Sequence, residues 1–282
     1  MINYDPKSWW GLIFKFHKSD TFRRLLPAMV SVALFSDAIA YVDIQLWPNH
    51  LHGTTAFHSL LGFVISLLLV FRTNTAYERW WEGRRQWGAL TNASRNIALK
   101  LDAKLPKGHG SRLAVASLLG DYAAALCNHL RDKPATHAGA IRHAPNAVAA
   151  RLLAEVEGMR RGGNLAFEDV INLNADLTAL TDICGACERI KKTPIPYSYS
   201  LFLKKFVFVY IITMPFVFVA DFGYWTALFT TFIFYVLVSL EIIAEEVENP
   251  FGTDANDLPT DDMAKNIAAN VKEILVARGG GL

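Results

Sequence analysis

The sequence predicts an all-α membrane protein, with four transmembrane helices joined to a helical cytosolic domain. Three observations predict it. The 282 residues are 52% hydrophobic and only 19% charged, too apolar for an average soluble chain and too polar for a bundle wholly immersed in lipid. Uncharged runs of membrane-crossing length alternate with amphipathic stretches of helical period. Strand signals are absent throughout, which excludes Rossmann, hydrolase and P-loop folds together with their chemistry.

The elements follow in order. Residues 1–24 hold Asp5, Lys7, Trp9 and Trp10 but no apolar core followed by a small-residue cleavage site, so this segment is expected to be retained and cytosolic. Residues 25–86 carry the first two spans. Leu25 to Ile44 contains Pro27, Asp37 and Asp43 and is assigned as a span because the topology needs it. Ala56 to Phe71 is uncharged and runs on into FRTNTAYERWWEGRRQWG, which keeps helical spacing and a tryptophan-rich interface signature. One helix is therefore expected to leave the membrane and continue into the cytosol. Residues 87–200 form a helical cytosolic domain, with amphipathic stretches such as RLAVASLLGDYAAALCNHLRD interrupted by LPKGHGS, KPATHAGAIRHAPN and RRGGN. Residues 201–241 form a transmembrane hairpin, Phe206 to Ala220 and Phe222 to Leu240, with Asp221 at the far membrane face and Pro215 kinking its first helix. Residues 242–282 complete the chain as a cytosolic acidic segment.

Positive charge sets the orientation. Lys7, Lys15, Lys18, Arg23 and Arg24 precede the first span, Arg72, Arg79, Arg84 and Arg85 follow the second, and Lys204 and Lys205 open the third. The stretch from Gln45 to Thr55 has neither Lys nor Arg. Both termini are thus expected in the cytosol of a bacterial inner membrane. The formal net charge of +2 gives no global field for a nucleic-acid partner, and no basic run interleaved with aromatics suggests one locally. Three cysteines, Cys127, Cys184 and Cys187, do not make a disulfide framework. Cys184 and Cys187 have redox and zinc spacing, but no second ligand pair accompanies them, so they are read as helix-packing residues.

Within the second span, Phe63, Leu67 and Phe71 recur every four residues, beside a face of Ser59, Gly62 and Ser66. The small face favours close helix contact. The large face suits either lipid, which composition alone favours, or a pore axis, where an apolar ring gates by dewetting.

Four separated blocks carry a family resemblance: SLLGF at Ser59 to Phe63, FRTNTAYERWWEGRRQWG, CERIKKTPIPYSY at Cys187 to Tyr199, and EEVENPFGTDANDLP at Glu245 to Pro259. In this order the chain resembles the bacterial branch of the bestrophins, from about Trp10 to Asn270. The resemblance implies a homopentamer in the lipid bilayer around a central pathway for small ions. It also implies that Phe63, Leu67 and Phe71 line the pore neck, facing the axis. A second, cytosolic constriction falls at Glu168, where many relatives carry an aliphatic residue; the alternative is that Glu168 or Asp169 is a helix N-terminal acid. Animal members bind calcium after an Asn-Pro-Phe-Gly turn, which here implicates Asn249, Asp254 and Asp257. No cofactor is expected to be required, and capping of the next helix is the alternative role for these acids.

Among smaller signals, His50, His52 and His58 lie near the outer face with no fourth ligand evident, Asp37 is an acid within a span, and Arg72 beneath Phe71 is expected to pair with an acid such as Glu241. The functional expectation is passive conduction of small monovalent ions, without covalent chemistry. Glu168 and the cluster Glu241, Glu245, Glu246 and Glu248 lean it toward cations, while the chloride conduction for which the family is named supports an anion-selective alternative. A secondary transporter would show repeats and interrupted spans in both halves, and a non-conducting scaffold would turn the stripe to lipid.

Overall fold

The structure, a computed structural model, describes residues 20–48, 50–51, 53–133 and 143–277. Most of the N-terminal segment, His52 and much of the KPATHAGAIRHAPN interruption lie outside the described residues. Eight α-helices and no strand occur among the described residues: α1 Asp20–Tyr41, α2 Thr55–Lys104, α3 Gly110–Leu130, α4 Ala144–Arg161, α5 Phe167–Lys192, α6 Tyr197–Phe222, α7 Trp225–Glu248 and α8 Thr260–Leu275. A short π-helical turn, Val42–Leu46, follows α1.

Two compact units divide the chain. One gathers the described residues within 20–78 and 194–248; the other gathers those within 79–193 and 249–277. The units do not coincide with the sequence-based boundaries at 86/87, 200/201 and 241/242. The reason lies in the helices: α2 runs unbroken for 50 residues across the first of these boundaries, and α7 carries helical structure on to Glu248. Residues 260–275, the helix that the capping alternative expects after the acidic loop, are amphipathic, with Ala264, Ile267, Val271 and Leu275 buried.

In the first unit, α1, α6, α7 and the N-terminal part of α2 are apolar and long enough to cross a bilayer by length and composition. Their packed centre is Ile65, Leu69, Leu203, Val207, Tyr210 and Ile211. Pro27 and Pro215 both sit inside helices. The hairpin turn falls later than expected: Asp221 belongs to the last turn of α6, and Gly223, at φ +54°, makes the reversal. A side chain at such a φ carries a steric penalty that glycine lacks. The buried Asp43 accepts a hydrogen bond from the Leu51 N–H at 3.0 Å and so closes the connection after α1.

The second unit is a helical core built on Trp87, Ile97, Leu101, Leu119, Tyr122, Leu126, Leu152, Leu180, Phe251 and Val271, all at most 2% exposed. Helix α3 is also long and apolar enough to span, but its Val115, Leu119, Tyr122 and Leu126 are buried in this core. Local caps explain the helix starts. His109 accepts from the Ser111 N–H and His143 from the Asn146 N–H, each at 3.2 Å, and Pro145 occupies the first turn of α4. The buried Arg112 ties two helix ends together, donating to the Leu105 carbonyl after α2 and to the Leu275 carbonyl of α8 at 2.7 and 2.8 Å.

Candidate functional site: the exposed stripe of α2 and its ion pairs

Helix α2 presents two opposed faces in its first unit. His58, Ile65, Leu69, Arg72 and Ala76 are buried, a spacing of three, four and seven residues that keeps one stripe against its neighbours. Phe63, Leu67 and Phe71 are 67%, 46% and 55% exposed. At 100° per residue, the centres of the two stripes lie about 170° apart around the helix. The three predicted neck residues therefore share a face that the chain itself leaves uncovered.

The small-residue face behaves differently from the expectation. Ser59 and Ser66 are exposed and donate to the carbonyls of Thr55 and Gly62, each at 2.8 Å. Only Gly62 serves close approach, because an added Cβ would lie 2.7 Å from the Tyr210 hydroxyl oxygen. Burying Ile65 and Leu69 removes more apolar surface from the surroundings than burying two serines, and α2 is rotated accordingly.

Below the stripe, Arg72 is 2% exposed and faces two carboxylates of α7, Glu248 at 2.7 Å and Glu241 at 3.6 Å. Glu248 also accepts from the Ile195 N–H at 2.7 Å. Lys204 pairs with Glu245 at 3.1 Å and Arg24 with Glu246 at 3.4 Å. Each glutamate of this inner cluster thus has a cationic neighbour inside the chain, but Arg72 is shared by Glu241 and Glu248, so three cations face four carboxylates and the charge is compensated only in part.

Glu168 is exposed in the first turn of α5 and makes no hydrogen bond or ion pair among the described residues. Its neighbour is the structural acid. Asp169 accepts from the Ala166 N–H at 3.0 Å and sits 2.9 Å from Lys104. Lys104, with the Ala166 N–H, holds the Asp169 carboxyl below the usual carboxylate range. Both acids lie in the first turn of α5, as the helix N-terminal alternative expects, and Asp169 is the one that makes the capping contact.

The Asn249–Asp257 loop is held as a turn. Phe251 is 1% and Asp257 2% exposed, whereas Asn249 and Asp254 are exposed. Asp257 Oδ2 accepts from the Asp254 N–H at 2.5 Å. Gly252 admits this carboxylate, since a Cβ there would lie 2.6 Å from the same oxygen. Arg131 clasps the loop, its Nε donating to the Phe251 and Gly252 carbonyls at 3.1 Å and its two terminal nitrogens reaching Thr260 and Asp261 at 2.9 and 2.6 Å. Calcium takes roughly six to eight oxygens. In this turn the buried carboxylate of Asp257 accepts the Asp254 N–H through Oδ2, while the side chains of Asn249 and Asp254 are exposed.

The remaining predicted signals separate. Asp37 is exposed on α1. His58 is buried, stacked on Tyr210 at 4.2 Å and edge-on to Phe218 at 5.5 Å, while His50 is exposed. Burial pushes the Cys184 thiol up to about 11 and the Cys187 thiol up to about 12, as packing residues require and a redox pair does not. One cluster had no sequence signal. His129 at the end of α3 and His143 before α4 both place Nε2 against Glu188 Oε1 of α5, at 2.6 and 2.7 Å. The histidines follow no regular ligand spacing, and the adjacent cysteines draw attention away from Glu188.

Comparison with known proteins agrees with this architecture. The family model describing bacterial and fungal bestrophin proteins matches residues 1–273. A voltage-dependent anion channel-forming protein of Synechocystis sp. is 33% identical over 96% of this chain and 92% of its own length. One from Escherichia coli K12 is also 33% identical, over 97% and 94%. The crystal structure of a bacterial bestrophin homologue from Klebsiella pneumoniae superposes with a TM-score of 0.82 at 30% identity, covering 89% of this chain and 98% of that one. A helical chain whose four block motifs, exposed α2 stripe and full-length matches all coincide in this way belongs to the bestrophin family, in its bacterial and fungal branch.

Proposed function

We propose that this chain forms a passive anion channel, as a homopentamer in the bacterial inner membrane with both termini cytosolic. In this reading α1, the first part of α2, α6 and α7 span the bilayer, and the two sequence-read extremes, residues 1–24 and 242–282, lie on the cytosolic side. Phe63, Leu67 and Phe71 form the neck. The observation that carries the proposal is their position on the face of α2 directly away from its packing stripe, where a symmetric assembly brings copies of the stripe around one axis. An apolar ring of this kind controls passage by dewetting and by the dehydration it imposes on an ion.

Anions are favoured over the cation lean for two reasons. The relatives from Synechocystis and Escherichia coli are named as anion channel-forming proteins, and Arg72, Lys204 and Arg24 offset three of the four inner glutamate charges. The exposed carboxylate of Glu168 supports a second reading, in which an acidic cytosolic ring selects monovalent cations. Neither reading requires calcium or another cofactor.

The test is the reversal potential of the purified chain in planar bilayers under a salt gradient, with chelator present, for the native sequence and for Glu168→Ala. The anion reading expects a potential near the chloride limit in both. A native potential near the cation limit that collapses in Glu168→Ala overturns it in favour of the acidic ring. Absence of any current from intact pentamers overturns the channel itself.

A further inference from the structure

The cluster of His129, His143 and Glu188 converges from two helix ends and the body of a third helix onto one point, and it has no part in the neck, the ion pairs of α7 or the loop clasped by Arg131. We propose that it is a metal site for zinc, a staple joining the C-terminus of α3, the N-terminus of α4 and the body of α5. Among the described residues this is the group of His, Cys, Asp and Glu side chains whose ligand atoms gather closely enough, all within 4.8 Å of one another. The two imidazole rings have centroids 4.3 Å apart and planes inclined by 51°, and all three side chains are partly buried.

The donor set selects the ion. Two imidazole nitrogens and one carboxylate oxygen suit zinc, whereas calcium and magnesium prefer oxygen throughout. A tetrahedral zinc about 2.1 Å from each donor holds neighbouring ligand atoms about 3.4 Å apart. Oε1 of Glu188 now lies 2.6 and 2.7 Å from the two Nε2 atoms, so the carboxylate withdraws by roughly 0.7 Å to admit the ion. Its other oxygen is 3.8 Å from Lys192, which orients the carboxylate from behind. Three protein ligands leave the fourth position to water, the arrangement of an open zinc site.

Both imidazoles must present an Nε2 lone pair to the ion, so each neutral ring then carries its proton on Nδ1. His143 Nδ1 accepts from the Asn146 N–H at 3.2 Å, so without metal its proton is on Nε2, donated to Glu188. Zinc takes the Nε2 lone pair, and the neutral ring then carries its proton on Nδ1. His143 thereby exchanges a long N-cap contact for a metal bond, with no net change of charge on the ring.

The experiment uses the full-length protein in detergent, stripped with chelator and titrated with zinc chloride against a chromophoric competitor. Native protein is expected to hold about one zinc per chain, and Glu188→Gln and His129→Ala to bind on the order of 100-fold more weakly. His143→Asn removes the ligand but supplies another good N-cap acceptor, so it is expected to lose zinc while melting like the native chain without metal. Cobalt loaded in place of zinc is expected to give the intense visible bands of tetrahedral coordination in the native chain only. Failure of native protein to retain zinc, or equal retention by the variants, overturns the proposal. These readouts need no ion current and stand or fall apart from the channel reading.

Discussion

At the scale of single residues, environment decides chemistry more than residue type does. Cys184 and Cys187 have the spacing of a reactive pair, yet burial raises both thiols, so little thiolate forms near neutral pH. Maleimide labelling at pH 7.5 is accordingly expected to leave both unmodified in the folded protein and to modify them fully in denaturant, as read by mass spectrometry. Asp261 shows the opposite case. The hydrogen bond from Arg131, followed by the Arg131 charge, holds its carboxyl below the usual range despite some desolvation. A carboxyl depressed on folding adds stability above its unfolded value of about 4, and that contribution disappears as pH falls through the lower folded value. The melting-temperature gap between native protein and Asp261→Asn is therefore expected to be present at pH 7 and to close progressively below about pH 4. Because Asp261 is more than half exposed at its side chain, the gap at neutral pH is expected to be small.

At the scale of elements, α2 is fixed in rotation by what its buried stripe meets. Arg72 is the polar member of that stripe, and removing it strands Glu241 and Glu248 beside an apolar core. Breaking a buried pair by deleting one partner costs about 3–5 kcal/mol. Arg72→Leu is expected to destabilise detergent-solubilised protein by that order, and Glu241→Leu added to it to recover part of the loss, in a thermal-melt double-mutant cycle. Equal stability of Arg72→Leu and native protein would show that the ion pairs do not hold α2. The sequence made the helical character of α2 plain through its length and periodicity, and it pointed to Arg72 pairing with Glu241. It did not reveal Glu248 as the nearer partner, because the choice depends on the rotation of α7 rather than on any local pattern. Likewise the turn between α6 and α7 was assigned to Asp221 from polarity, whereas Gly223 makes it through its backbone freedom.

At the scale of the whole molecule, the proposed function needs copies of the chain to meet so that the uncovered stripe of α2 lines a neck. Alanine at Phe63, Leu67 and Phe71 together is expected to raise single-channel current, since lowering a dehydration barrier by about 1.4 kcal/mol speeds crossing about tenfold. Unchanged current in planar bilayers would return the stripe to lipid. The sequence by itself determined that this is a helical chain with runs long and apolar enough to cross a membrane, and which family the blocks at Ser59, Phe71, Cys187 and Glu245 resemble. Such properties are written in composition and in periods of a few residues, and they survive without knowledge of any partner element. Only the tertiary structure decided that Phe63, Leu67 and Phe71 lie opposite the packing face, that the four inner glutamates pair with Arg72, Lys204 and Arg24, and that His129, His143 and Glu188 meet. Those outcomes depend on the relative rotation of helices distant in the chain, which is set by which faces bury the most apolar surface, and no local spacing encodes that competition.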